Sequence, residues 1–165
     1  KEKTLHGLDW NQTHEKLHKQ SQQMLTPHQF IQFILHLQQN QTQEHQTILE
    51  EILTKRDSWR AEHLDALFTE ESGQFYITTH NDQQQPTKEP LQSCLTEDCY
   101  ADIFGSANQQ GLPTQKSQNQ YLYFWHPRNN CVAGFFADSL GVSLDCYGYP
   151  SFALAGLGVR VAQKF

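Results

Sequence analysis

Apolar residues recur at helical spacing in the first third of the chain and at alternate positions in the last. Thr26 as N-cap, Pro27 at the first helical position and Gln29 at the third form a capping-box pattern. Phe30, Phe33, Ile34 and Leu37 follow at i, i+3, i+4 and i+7, and Ile48, Leu49, Ile52 and Leu53 resume the stripe after a Gln-rich stretch. The pattern leaves open whether one helix runs from 27 to about 55 or breaks near Asn40. Ahead of it, 11–24 predicts a weakly patterned helix on a polar background, with Leu17 and Met24 among its few apolar points. So small a helical segment cannot bury its stripe alone, and docking within the chain is favoured over docking on another chain. Residues 55–70, KRDSWRAEHLDALFTE, predict a shorter helix capped by Asp57 or Ser58, with Trp59, Leu64, Leu67 and Phe68 as its contacts.

Strand signals take over from there. Glu71, Ser72 and Gly73 turn the chain into a strand over Gln74–Thr79, and HNDQQQPTKEP is a loop by composition. Residues 91–120 are irregular, anchored by Leu91, Leu95, Tyr100, Ile103 and Phe104. Gln120–Trp125 predicts a strand apolar on both faces, hence central. From Cys131 to Arg160 two populations alternate. Ala133, Phe135, Ala137 and Ser139, then Val142, Leu144 and Cys146, are small or apolar, as a core-facing row requires. The intervening Gly134, Phe136, Asp138, Leu140, Ser143, Asp145, Tyr147 and Tyr149 share no single environment: a buried row rejects the aspartates, and a merely solvated row has little use for the rings. Aromatic anchors beside a few charges suit a recognition surface. Two strands buried on both faces, with the aspartates in bends, would give a similar pattern. Gly148–Gly156 is mostly loop, and Leu157–Ala162 predicts a last strand with Arg160 turned away from Leu157, Val159 and Val161.

Composition narrows the function classes. The net charge is −6 and the cations are scattered, which disfavours nucleic acid. No stretch approaches the roughly 20 apolar residues of a membrane-spanning helix, and the opening KEKTLHGLDWNQ does not resemble a signal peptide. Cys94, Cys99, Cys131 and Cys146 lack zinc-ligand spacing, and free, partly buried thiols are favoured over a Cys94–Cys99 bridge. His14 and His18, at i and i+4, could share a metal on one helical face, but no third ligand is placed, and a solvated polar face is the simpler account. His63 beside Asp65, and His126 before Pro127, are candidates for acid–base work with no nucleophile placed by spacing.

The pattern VAxFxAxSxGVxLxCxGxPxxAxAGLGVRV, preceded by YFWHP, resembles the variable region of variable proteins from diversity-generating retroelements, particularly the archaeal kind. The match is close over about 120–165 and general over roughly 56–165. It implies an α+β architecture: a C-type lectin-like domain of the formylglycine-generating-enzyme kind, with short irregular antiparallel strands and helices, over 56–165. Its variable region spans about 131–160, and an N-terminal helical segment, 1–55, precedes the domain. In that family, reverse transcription that mutates template adenines rewrites chosen codons while the backbone stays fixed. Carried over by position, the diversified residues are Gly134, Phe136, Asp138, Leu140, Ser143, Asp145, Tyr147, Tyr149, Phe152 and Leu154, with Ser151 beside them, and the resemblance puts Trp125 in the scaffold.

Three functions compete. The resemblance implies a non-catalytic binder of a protein or cell-surface ligand, needing no cofactor, metal or nucleic acid, with a monomer slightly favoured. A calcium-dependent carbohydrate lectin needs oxygen-ligand motifs where this chain has only Glu89-Pro90-Leu91 and Trp125-His126-Pro127. A formylglycine-generating type of enzyme needs an activated cysteine pair, and nothing around Cys131 and Cys146 marks one.

Overall fold

The computed structural model describes residues 5–80 and 85–163 and has an α+β architecture. In chain order the elements are β1 (Leu5–His6), α1 (Trp10–Lys19), β2 (Gln22–Met24), α2 (Pro27–Gln39), α3 (Gln43–Leu53), β3 (Ala61–Glu71), β4 (Gln74–Thr79), β5 (Thr87–Pro90), β6 (Cys99–Tyr100), α4 (Ile103–Ser106), β7 (Leu122–Trp125), β8 (Cys131–Asp138), β9 (Gly141–Gly148), β10 (Leu157–Val159) and β11 (Val161–Gln163).

One nine-stranded sheet runs β1-β10-β3-β8-β9-β7-β6, with β4 added to β3 and β5 to β4; β11 and β2 form a separate ribbon. The sheet is mixed rather than wholly antiparallel, because β10 pairs with β3 and β7 with β9 in parallel. The long β3 serves three neighbours: Ala61 and Glu62 pair with β10, Leu67 to Glu71 with β4, and its other edge with β8. Ser72 and Gly73 join β3 to β4 at φ 51° and 82°, both in the left-handed region that a two-residue hairpin turn demands.

Side-chain alternation gives the sheet two distinct faces. On the first, α2 delivers Phe30, Ile31, Ile34 and Leu37 onto Leu64, Ala66, Phe68, Ala133, Phe135, Ala137, Leu122, Phe124, Val142, Leu144 and Cys146. Each large α2 side chain so buried contributes about 1.5–3 kcal/mol. Thr26 caps this helix reciprocally with Gln29, and the chain breaks at Asn40 before Thr42 caps α3. On the second face, Trp10, Leu17 and Met24 cover Val132, Val159 and Leu67. The N-terminal residues are therefore part of the body, tied in by β1 on β10 and β2 on β11.

Several sequence expectations change. The helix expected over 55–70 is strand β3. Its polar residues suggested a solvated helix face, but Asp65 and His63 are buried and met by residues distant in sequence: His80 and the Leu8 carbonyl. The helix over 11–24 ends at Lys19, and residues 22–24 enter the ribbon with β11. In the expected loop HNDQQQPTKEP, residues 81–84 lie outside the described residues, and Thr87–Pro90 is an exposed edge strand. The last strand is two, split at Arg160, whose Nε donates to Glu62. Trp125 is 38% exposed and not core, because β7 turns its odd residues away from α2. Ser139 leaves the core row and is exposed in the β8–β9 turn.

Candidate ligand-binding face

The β8–β9 hairpin carries most of the in-between residues. Asp138 pairs with Gly141 across a turn formed by Ser139 and Leu140, and Asp138 Oδ1 accepts from the Leu140 amide at 2.7 Å. Phe136 then stands opposite Ser143, and Gly134 opposite Asp145. On the far side of β9, Tyr123 and Trp125 pair with Ser143 and Asp145, and Tyr100 pairs with Tyr123. On the far side of β8, Ala61 and His63 pair with Phe136 and Gly134. Two rows consequently cross the second face: Tyr100, Tyr123, Ser143, Phe136, Ala61, and beside it Trp125, Asp145, Gly134, His63. Of these, Ala61, Gly134 and His63 are buried, Trp125 is exposed and the others are half-buried.

A bulge between Val132 and Gly134 shifts the register, yet Cys146 stays in the core and Tyr147 stays outside. Leu140 is 87% exposed, Tyr147 41%, Tyr149 59%, Phe152 52% and Leu154 39%; Asp138 is also exposed, while Phe136, Ser143 and Asp145 are half-buried. Near the hairpin tip, Tyr100, Tyr123, Trp125, Asp138, Leu140 and Ser143 line a cleft of about 230 Å³. At the other end of the row, Phe136 stacks on Trp59 with centroids 5.8 Å apart, and it borders Tyr149 and Phe152 around a small dent. Gly134 is the exception among the expected contact residues. A Cβ there would lie 2.8 Å from the Phe136 ring and 3.1 Å from the Glu62 carbonyl oxygen, so a side chain must first displace the ring.

Charges brace this surface from below. Asp98 accepts from the His126 amide at 3.1 Å and from Arg128 Nη2 at 2.7 Å. Arg128 in turn lies over the Tyr147 ring, 4.4 Å from its centroid. Burial opposes ionisation of Asp98, but the hydrogen bonds from Arg128 and His126 outweigh it and hold the carboxyl below its ordinary value. Asp145 goes the other way: burial raises it, against the Tyr147 amide at 2.6 Å and the nearby Arg128.

The residues considered for chemistry are engaged with other groups. His126 is bound to Asp98, and buried His63 faces the Leu8 carbonyl at 3.3 Å, with its pKa lowered by burial. All four cysteines are free. Burial drives the Cys146 thiol well above its usual value, raises Cys131, and pushes Cys94 up to about 11, the reverse of nucleophile activation. Sequence reasoning missed Tyr100, Tyr123, Trp125 and Trp59 as members of the face. Alternation within LYFW marked Tyr123 and Trp125 as one row, but only pairing with β9 shows that this row continues Ser143 and Asp145. Comparison with protein-family models, with characterised proteins and with solved structures finds no match.

Proposed function

We propose that this chain is a diversified ligand-binding protein of the retroelement-targeted kind, built on a C-type lectin fold of the formylglycine-generating-enzyme type, and that it binds a protein or cell-surface ligand without catalysis. The observation that carries this reading is the division of labour along β8 and β9. Alternate residues Ala133, Phe135, Ala137, Val142, Leu144 and Cys146 are buried against α2 and its neighbours, while Phe136, Asp138, Ser143, Asp145 and Tyr147 reach solvent on the opposite face. A ladder held by backbone hydrogen bonds and packed from one side tolerates exchange of the other side's residues.

The contact set is Phe136, Asp138, Leu140, Ser143, Asp145, Tyr147, Tyr149, Phe152 and Leu154, with Gly134 admitted only where Phe136 gives way. Tyr100, Tyr123 and Trp125 act as fixed aromatic neighbours. Rings with apolar bodies and polar tips beside a few carboxylates supply anchoring and specificity at an exposed interface. Burial raises the thiol pKa of Cys131 and Cys146, which supports a binding role over one that needs an activated cysteine. Sequencing the DNA around the gene tests the proposal. A near-identical copy of the codons for 131–160, differing only at adenines and lying beside a reverse transcriptase gene, is expected; absence of both overturns the retroelement assignment.

A further inference from the structure

The third ligand that His14 and His18 lack in sequence comes from the sheet. Asp65, 0% exposed, lies on β3 beneath α1, and its Oδ1 is 3.2 Å from His14 Nε2 and 3.2 Å from His80 Nδ1. These three ligand atoms all lie within 4.8 Å of one another. Asp65 Oδ2 accepts the His80 backbone amide at 2.7 Å, which orients the carboxylate and leaves Oδ1 directed at the two imidazoles. His14 is only 6% exposed, and its Nε2 is buried without an aligned hydrogen bond despite its nearness to Asp65. One turn on, His18 Nε2 is buried and unpartnered in the same way, with ring centroids 5.9 Å apart. Trp10 walls the cluster edge-on, 4.3 Å from the His14 ring and 5.1 Å from that of His80.

We propose that His14, Asp65 and His80 form a binding site for a divalent transition-metal ion of the zinc type. Two imidazoles and a carboxylate suit zinc and its first-row neighbours rather than calcium or magnesium. A tetrahedral ion with bonds of about 2.0–2.1 Å holds its ligand atoms roughly 3.3 Å apart, which both Asp65–histidine separations already match. An ion here also gives the His14 nitrogen, which lies near Asp65 without an aligned hydrogen bond, a bond of good geometry. The site is structural: it pins α1 to β3 and to the residue that follows β4. Because the Trp10 amide donates to the Pro150 carbonyl at 3.0 Å, it also steadies the Tyr149–Phe152 loop.

The test uses the untagged chain stripped by a chelator, titrated with zinc by calorimetry and with cobalt by absorption. One zinc per chain, a rise in Tm of about 5–10 °C at a zinc concentration 100-fold above Kd, and the visible bands of tetrahedral cobalt are expected. His14→Gln, His80→Gln and Asp65→Asn each weaken zinc at least tenfold and remove the cobalt bands. His36→Gln and His45→Gln, a surface pair with rings 5.7 Å apart, change neither. No zinc-dependent shift in Tm, or binding that survives His80→Gln or depends on the surface pair, overturns the proposal. Should Asp65→Asn fail to fold, His80→Gln still decides, since that side chain is 20% exposed.

Discussion

Replacing Tyr147, Tyr149 and Phe152 together by Ser asks whether these rings belong to a display surface or to the core. Their exposures of 41%, 59% and 52% place them with surface residues, whose substitutions usually stay within about 0.5 kcal/mol each. Tyr147 adds its cation–π contact with Arg128, which at an exposed site is worth about 0.5–1 kcal/mol. The triple variant should therefore lose about 2 kcal/mol, a fall in Tm of roughly 4–8 °C for a chain of this size. Phe136 does not belong in that set: it is half-buried on Trp59, and stacking of this kind adds about 0.5–1.5 kcal/mol beyond area. Urea unfolding followed by far-ultraviolet circular dichroism, with calorimetry for Tm, measures the loss. A drop beyond about 5 kcal/mol, or disappearance of the cooperative transition, would falsify the claim that this face is an exchangeable surface on an indifferent scaffold.

Two further expectations concern neighbouring residues. Trp125→Ala, at an exposed ring, should cost less than about 1.5 kcal/mol, whereas Phe124→Ala next to it, fully buried under α2, should cost about 3–5 kcal/mol; equal losses in parallel urea titrations would contradict the assignment of the two faces of β7. The depressed Asp98 carboxyl contributes stability above the unfolded pKa of about 3.9 and loses it as pH falls through the lower folded value. Asp98→Asn should then cost about 1 kcal/mol at pH 7 and progressively less as pH falls below the unfolded value, and a pH-independent difference would show that the Arg128 and His126 bonds do not depend on the charge.

What could be read from the sequence and what could not divide along a physical line. The α2 start was legible because every determinant is local: Thr26, Pro27 and Gln29 act within one turn, and the apolar spacing needs no partner to be seen. The hairpin rows were legible for the same reason, since alternation is intrinsic to an extended chain. Strand β3 was not, because its polar residues are excused by groups far along the chain: His63 faces Leu8, and Asp65 meets His14 and His80. A buried carboxylate looks impossible until its partners are known, so the helix that would have left it solvated was the natural reading. Trp125 failed similarly, because a strand apolar on both sides does not reveal which side lacks a cover.

That same non-local pairing decides how the face works. Nothing in LYFW marks Tyr123 and Trp125 as recognition residues, but the parallel ladder to β9 sets them in line with Ser143 and Asp145, within the same solvent-facing rows. In the proposed function, Tyr100, Tyr123 and Trp125 form an aromatic edge beside the positions proposed to vary. On that proposal a ligand would meet Tyr100, Tyr123 and Trp125 whatever occupied 136, 143 and 145, which gives a basal apolar contribution shared by all ligands. Under the proposed function, diversification has only to supply the difference between ligands, and a one-face packed hairpin can carry that burden because its core row is buried from the opposite side by α2.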